Sequence, residues 1–462
     1  MAIANSPANS PTLSAGAARR EITPPLEVGL LMSSVEGRWE KFEGIRKGLF
    51  ARAVVLEGES AGGTFQRAAI VALDLLALSG KALGGFDEFK ARIAAAAGYA
   101  VKADQIVLSC THSHSTPESG AITELYRTPA YQAWLEYLTT QIGEAIEAAS
   151  RDVAPCRVCY STSTAAGLGI HRRIKTTQGI MMSHPEPPPE IVASRDGPVD
   201  DSVTVIAFSD NSGGLKAIIV NATCHPVYEM CIPMISPDYP GELTSLLDER
   251  YAGAVTLFLN GAAGNINPTG VSAGPAESRR HAEVLADVVG DALSQAFAES
   301  SPYLAFGRSS FDLATRLPQG QDIGVTLTAG IAAIQIGSAA ILFIPGEPFV
   351  ETAIAIRKAS VFECTAIVGF SEETVGYIPT DAAFAEGGYE ASFGTWSMVA
   401  PGSEQRLCRE GLALLENLVV GAEDAVHSTV LAPPAFTVTT KSPDSEAAGK
   451  PDLPTTSSGG IR

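Results

Sequence analysis

Short apolar runs rich in Val and Ile alternate with longer amphipathic stretches along most of this 462-residue chain. Short runs with β-branched side chains are typical of buried strands, and apolar residues at three- and four-residue steps are typical of helices. The length also allows about three domains, but the alternation continues without a clear linker or an internal repeat. The sequence therefore predicts an α/β fold: a single large domain built on a mixed β-sheet flanked by helices.

The pattern predicts the positions of the main elements and of the less ordered segments. The expected strands are Ala51–Leu56, Arg67–Leu73, Gln105–Ser109, Arg157–Ser161, Val203–Phe208, Leu215–Ala222, Val255–Leu259, Ala332–Ile336, Ala340–Ile344 and Cys364–Val368. The expected helices are Phe86–Ala97, Tyr131–Ala149, Gly241–Tyr251, Glu277–Ala298, Val350–Ala359 and Glu404–Val420. The Pro-rich segment Gly179–Asp201 is predicted to be a surface loop. Residues 1–18 and 431–462 are poor in large apolar side chains, so we expect mostly disordered tails around a domain of residues 19–430.

Charge and composition exclude several classes of protein. Acidic residues outnumber basic ones 51 to 32, a net charge of −19, whereas nucleic-acid binding depends on clustered Lys and Arg. No apolar stretch reaches the ~18 residues of a membrane-spanning helix, and no secretory signal is evident. Cys156 and Cys159 form a C-x-x-C in a predicted strand, which directs the two thiols to opposite faces. We expect a cytoplasmic protein with reduced thiols, with neither a nucleic-acid partner nor an integral membrane segment; the sequence leaves homo-oligomer formation open.

Polar residues of chemical interest recur just past the carboxyl ends of four predicted strands. In open α/β sheets, ligands bind in the crevice outside these ends. Two histidines and a carboxylate are a common ligand set of catalytic zinc, which lowers the pKa of a bound water from ~15.7 towards ~7. The pattern predicts a metal site at the strand carboxyl ends, built from the segments Thr111-His112-Ser113-His114-Ser115, Cys224-His225-Pro226, Pro345-Gly346-Glu347-Pro348 and Gly376-Tyr377-Ile378-Pro379.

Each of these residues also has an ordinary structural interpretation. The H-x-H pair also fits a polar turn, and His225 fits a structural histidine. Glu347 could cap the helix that follows it, and Tyr377 could occupy a core position. Spacing alone does not show that these residues converge. His171 lies beside two arginines that can bind a carboxylate or carbonyl oxygen. We expect no role for the remaining three histidines: His184 in the Pro-rich loop, His281 on a solvated helix face and His427 near the tail.

A competing motif, Gly270-Val271-Ser272-Ala273-Gly274, fits the G-x-S-x-G elbow of serine hydrolases. That elbow requires a strand that turns directly into a helix, and here a loop follows the strand that ends near Leu259. The sequence still leaves two alternatives to a metal-dependent enzyme. One is a metal-free serine esterase using Ser272, and the other is a non-catalytic binding protein of the same fold.

Several segments, in order along the chain, resemble the catalytic domain of the neutral/alkaline (non-lysosomal) ceramidase family. The resemblance runs from Ile22-Thr23-Pro24-Pro25 to about Leu418. Its strongest part is Ile106–Ser115, which is similar to the family's T-H-T-H-S segment. The other segments are Cys224-His225-Pro226, Ser236–Gly241, Phe258–Gly264, Pro345-Gly346-Glu347, Gly376–Thr380 and Gly388-Tyr389-Glu390-Ala391-Ser392.

The resemblance implies a zinc-dependent amidohydrolase domain that holds one Zn²⁺ ion. It implies that metal-bound water attacks an amide carbonyl, and that His114 exchanges protons with the water or the leaving amine. Arg172 and Tyr389 would hold the carbonyl oxygen as it gains negative charge. Carried over by position, the expected zinc ligands are His112, His225, Glu347 and Tyr377.

The chain departs from the family in three ways. The family's G-D-V-S-P stretch reads Gly264-Asn265-Ile266-Asn267-Pro268, so the amide of Asn267 stands where ceramidases place a substrate-binding serine. We expect no counterpart of the C-terminal immunoglobulin-like domain after residue 420 and no secretion signal. We therefore expect a zinc-dependent hydrolase of a smaller or more polar amide, lactam or ester than ceramide, although iron and manganese share such ligand sets.

Overall fold

The computed structural model describes residues 13–31, 39–230, 232–316 and 322–419. His427 and the predicted tail 431–462 lie outside these ranges. The α-helices are Gly80–Leu83, Phe86–Ala96, Pro129–Arg151, Asp238–Arg250, Pro275–Ser294, Val350–Ala359, Asp381–Glu386 and Ser403–Val419. All six predicted helices are present, and Thr128 begins the longest one by accepting a hydrogen bond from the Tyr131 amide. None of the described helices is both long and apolar enough to span a bilayer.

A nine-stranded mixed sheet, here called the large sheet, organises the molecule. Its two outermost pairs are parallel and the inner pairs are antiparallel. Each parallel pair ends at one of the histidine-bearing segments predicted to bind a metal. Across the sheet the strands are Val255–Asn260, Leu215–Ala222, Ser202–Ser209, Ala154–Thr164, Leu13–Glu21, Phe50–Glu59, Phe65–Leu73 and Ile106–Cys110, with Phe297–Ala298 paired to Ala154–Thr164.

A second sheet of four strands, here called the small sheet, packs against one face of the large sheet. Its strands are Leu304–Arg316, Asp322–Ile336, Ala339–Phe343 and Cys364–Val368. Apolar side chains of both sheets, among them Ile70, Ile206 and Phe343, form one buried cluster between them. Helices cover the outer faces: Pro129–Arg151 belongs to the cluster on the large sheet, and Ser403–Val419 to the cluster on the small sheet. The predicted mixed sheet with flanking helices is confirmed, with this second sheet as an additional layer.

Short strands complete the fold and carry several site residues. They form pairs or a small three-stranded sheet, separate from the two larger sheets. These strands are Gly29–Leu31 with Trp39–Lys41, Gly44–Ile45 with Met234–Ile235, Gly169–His171 with Ile266–Pro268, Glu347–Pro348 with Tyr377–Ile378, and Arg173–Thr176 with Gly179–Met182 and Val192–Ser194.

The structure contradicts the predicted N-terminal tail over residues 13–18. Leu13–Glu21 is an inner strand of the large sheet, and it pairs with Phe50–Glu59 over eight residues. Its side chains are small because the helix Pro129–Arg151 and its end pack directly on it: a Cβ on Gly16 would lie 2.2 Å from the carbonyl oxygen of Ala149. The shortage of large apolar residues therefore marks a close helix–strand contact in this segment.

Two further predictions are wrong, and a third is confirmed. Part of Gly179–Asp201 is not loop but the strands Gly179–Met182 and Val192–Ser194. His281 is not solvated: it is 1% exposed, and its Nδ1 lies 3.1 Å from the hydroxyl of Tyr228. The two thiols of the C-x-x-C do face opposite sides of their strand, because they belong to different clusters.

Candidate metal centre

His112 follows the end of the strand Ile106–Cys110, in a turn that fixes its side chain. Its φ of +69° is unusual for a residue with a side chain, and its amide donates to the carbonyl of Leu75 at 2.9 Å. The Nδ1 atom lies 2.7 Å from the carbonyl oxygen of Leu76. Because a carbonyl oxygen only accepts, Nδ1 donates to it, and in the neutral ring Nε2 then keeps its lone pair.

His225 is held in the same manner after the strand Leu215–Ala222. Its Nδ1 lies 2.6 Å from the carbonyl oxygen of Ala263, so its Nε2 also keeps a lone pair. Burial lowers the pKa of His225 to about 4, which keeps the imidazole neutral. The two Nε2 atoms of His112 and His225 are 3.1 Å apart.

Glu347 brings a carboxylate from the small-sheet side to these nitrogens. It follows the strand Ala339–Phe343 and pairs directly with Tyr377 in a short parallel bridge. Its Oε2 lies 3.4 Å from Nε2 of His112 and 3.3 Å from Nε2 of His225. This oxygen is buried and has no hydrogen-bond partner. With both rings in the neutral tautomer that donates from Nδ1, three lone pairs converge here without a hydrogen between them.

His114 lies beside this cluster, two residues beyond His112 in the sequence. Its Nε2 is 3.3 Å from Nε2 of His112, and its buried Nδ1 has no hydrogen-bond partner. Burial lowers the pKa of His114 well below its usual value. Ligand atoms of His112, His114 and His225 all lie within 4.8 Å of one another, and among the described residues they form a group able to hold a metal ion.

Arg172 is a buried cation next to this cluster. Its Nε donates to Oε1 of Glu390 at 2.7 Å, and a second buried arginine, Arg173, donates to the other oxygen of that carboxylate at 2.8 Å. One terminal nitrogen of Arg172 lies 3.3 Å from Nε2 of His225, and the other donates to the hydroxyl of Tyr377 at 2.9 Å. Glu390 thus holds the guanidinium in place between the imidazole and the phenol.

The remaining predicted residues lie around Arg172. Tyr377 joins the centre through its hydrogen bond from Arg172, and burial raises the pKa of its phenol well above the usual value. Asn267 is 3% exposed; its Oδ1 accepts from Arg172 at 3.3 Å and its Nδ2 donates to Ser183. Tyr389 packs edge-on against Tyr377, with ring centroids 5.7 Å apart. The structure therefore brings all eight predicted site residues into one neighbourhood.

A cavity of about 310 Å³ opens onto this neighbourhood. His112, His114 and Glu347 lie at its polar end, and Tyr377 and Tyr389 form part of its wall. Arg172, His225 and Asn267 stand behind these residues and are at most 3% exposed. The cavity gives a small molecule access to the atoms that converge at the polar end.

Sequence reasoning missed two residues that shape the centre. The ring of Phe370 stacks on the imidazole of His112, with ring centroids 4.0 Å apart. Phe370 itself has a φ of +52°, which is unusual for a residue with a side chain. Glu390 fixes two buried arginines, although the sequence marked it only as part of a motif. Neither residue carries a local signal, because the role of each depends on a partner more than 200 residues away.

The structure does not build a nucleophile elbow at Ser272. Six residues separate the strand Ile266–Pro268 from the helix Pro275–Ser294, so the strand does not turn directly into the helix. A serine nucleophile needs a base within hydrogen-bond reach, yet the buried Oγ of Ser272 has no hydrogen-bond partner in the described part of the chain.

Comparison with solved structures identifies the fold. The chain matches a crystal structure of neutral ceramidase from Pseudomonas aeruginosa with a TM-score of 0.71 and 18% sequence identity, over 92% of this chain and 77% of the other. A structure described as ceramidase complexed with C2 matches with a TM-score of 0.70, at the same identity and coverage. No protein-family model and no curated protein matches the sequence. The chain therefore has the neutral ceramidase fold. The sequence identity of 18% supports a shared fold and nothing beyond it.

Proposed function

We propose that this protein is a zinc-dependent hydrolase that cleaves an amide bond. The proposal depends on one observation: Nε2 of His112, Nε2 of His225 and Oε2 of Glu347 form a triangle with sides of 3.1, 3.4 and 3.3 Å. Two ligand atoms on one tetrahedral zinc ion lie about 3.3–3.5 Å apart, given bond lengths of ~2.0–2.2 Å. The triangle therefore has the size of one face of such a site.

The surroundings of the triangle also suit a divalent cation. In both imidazoles the other nitrogen, Nδ1, donates a hydrogen bond to a backbone carbonyl oxygen, the arrangement that fixes metal-binding histidines in orientation and tautomer. The bare oxygen of Glu347 would be costly to bury without a cation. When bound, the metal would lower the pKa of a water molecule and so supply a nucleophile at neutral pH.

The neighbouring residues then take distinct roles toward the substrate. His114 lines the cavity and has a ring nitrogen within 3.3 Å of the cluster, so it would take a proton from the attacking water and pass it to the leaving amine. Tyr389 on the cavity wall would hold the carbonyl oxygen as it becomes negative, and the buried cation of Arg172 behind the wall would add its positive charge. Asn267 would orient the substrate through the guanidinium that its own amide contacts.

The choice of an amide bond is supported by the shared fold with two structures named as ceramidases. The amide at position 267 and a cavity of about 310 Å³, near the lower limit of ~300 Å³ for ligand pockets, favour a smaller or more polar substrate than ceramide. We therefore include short acyl amides, lactams and esters among the substrates of this enzyme.

Metal analysis of His112→Ala tests the proposal. We expect the wild-type protein to contain about one zinc per chain and to hydrolyse at least one member of a panel of ceramides, acyl amides, lactams and esters. His112→Ala should lose the metal and nearly all activity, because one corner of the triangle is gone. The matched control is His184→Ala, the same substitution at an exposed position outside the cavity, and it should keep both.

Three results would contradict the proposal. Full metal occupancy in His112→Ala would mean that the site is misplaced. Activity that survives a strong chelator and disappears in Ser272→Ala would establish a serine esterase instead. A wild-type protein that binds zinc but cleaves nothing in the panel would favour a binding protein.

A further inference from the structure

The cavity beside the proposed zinc site changes character away from its polar end. Most of its other lining is apolar or aromatic, with Leu76, Ile122, Val375 and Met398 among the residues; Ser79, Lys81, Thr374 and Thr395 add polar groups. Two neighbouring aromatic side chains, Tyr389 and Trp396, also line it. A substrate that enters with its scissile bond at the histidines must therefore place a second group against this apolar surface.

Tyr389 and Trp396 form a flat and well-supported wall. Their rings are nearly parallel, at 10° with centroids 5.6 Å apart, and the ring of Tyr377 meets Tyr389 edge-on. The carbonyl of Trp396 accepts from the amide of Tyr377 at 2.8 Å, which ties the wall to the zinc-site segment. The indole lies over Gly394, where a Cβ would come within 2.7 Å of its ring carbons. The surface is thus built before any substrate binds.

The proposed roles of the polar residues decide which part of the substrate meets this wall. The leaving amine lies toward His114, because that residue would protonate it. The carbonyl oxygen lies toward Arg172 and Tyr389. Since Trp396 stacks on Tyr389, the group attached to the carbonyl carbon, the acyl group, extends along the aromatic surface.

We propose that the substrate carries a compact aromatic acyl group, of the arylacetyl kind, which packs against Tyr389 and Trp396, and that Trp396 determines this preference. This inference rests on the proposed amide hydrolysis and names its substrate class. The cavity of about 310 Å³ is near the lower limit of ~300 Å³ for ligand pockets, which suits a compact group such as one ring with the atoms of the scissile bond. Ring-on-ring packing adds to the burial of apolar area and distinguishes a ring from an aliphatic chain.

The test compares amides of one small aliphatic amine that differ only in the acyl group. Phenylacetyl and octanoyl groups contain the same number of carbon atoms and differ in shape. With the zinc-loaded full chain, we expect kcat/KM to favour the phenylacetyl amide by about five- to tenfold, the scale of one aromatic contact. Trp396→Leu should lower this ratio to about one while zinc content stays the same, and Trp396→Phe should restore most of it. Phe297→Leu, at an exposed aromatic outside the cavity, should leave the ratio unchanged.

Two results overturn the inference alone. The first is an active Trp396→Leu protein with an unchanged ratio. The second is a preference that follows the amine, seen when acetyl amides of benzylamine and hexylamine differ more than the acyl series does. Failure to cleave any amide in either series, with zinc present, removes this inference, and failure on the whole panel of ceramides, acyl amides, lactams and esters removes the proposed function as well.

Discussion

At the scale of single residues, hydrogen bonds to the backbone prepare the centre. His112 and His225 each direct Nδ1 to a carbonyl oxygen, which leaves Nε2 free to face the carboxylate of Glu347. The ring of Phe370 stacks on His112 and limits its rotation. The rings are already fixed in orientation and tautomer, so little side-chain conformational entropy is lost when a ligand binds.

The geometry allows two roles for His114, proton transfer or metal binding, because its imidazole is close enough to the cluster to bind a metal ion. We assign it to proton transfer, and we predict that His114→Ala keeps the zinc but lowers kcat by about 10²–10⁴-fold, the usual contribution of a general acid–base group. Metal analysis and steady-state kinetics of one preparation measure both quantities. Loss of zinc from His114→Ala would make it a ligand, and unchanged kcat would remove it from the mechanism.

At the scale of elements, close packing explains where the sequence predicted the fold and where it failed. Strands predicted from long apolar runs, such as Leu215–Ala222, are present in the structure, because burial alone determines their sequence pattern. The strand Leu13–Glu21 escaped prediction, because its side chains are matched in size to a helix that follows more than 100 residues later. Leu304–Arg316 escaped as well, because only four of its thirteen residues are buried and its apolar signal is weak.

The contact between Leu13–Glu21 and the helix Pro129–Arg151 gives a prediction about stability. In Gly16→Ala the added Cβ would lie 2.2 Å from the carbonyl oxygen of Ala149 and 2.5 Å from the amide nitrogen of Val153. Backbone atoms have to move, so we expect the free energy of unfolding to fall by about 1–3 kcal/mol, the range for overpacking.

Urea denaturation of two variants checks this prediction. Gly330→Ala is the matched control, because Gly330 also lies within a strand and nothing lies within 4 Å of its added Cβ. Its stability should equal or slightly exceed that of the wild type, since alanine restricts the unfolded chain more than glycine. Equal midpoints for Gly16→Ala and Gly330→Ala would show that the helix and the strand are not in tight contact.

At the scale of the whole molecule, the proposed metal connects parts of the fold that the sequence could not place together. Strand-end positions predicted that His112, His225 and Glu347 lie at carboxyl ends, but not that the first two follow the large sheet and the third follows the small sheet. That relation depends on how the two sheets pack, which no local pattern encodes. The candidate segments could be selected from the sequence because the chemistry of each is local, whereas the distances between them are a property of the whole fold.

Because its proposed ligands come from both sheets, zinc should stabilise the entire domain. A ligand that binds only the folded state adds about 2.7 kcal/mol when its free concentration is 100 times its Kd. We predict that removal of the metal with a chelator lowers the Tm of the wild-type protein by a few degrees, and that excess zinc restores it. The same treatment should leave the Tm of His112→Ala unchanged, since one ligand from the large sheet is missing. A wild-type protein that loses its zinc by metal analysis yet keeps its Tm would show that the ion does not link the two sheets.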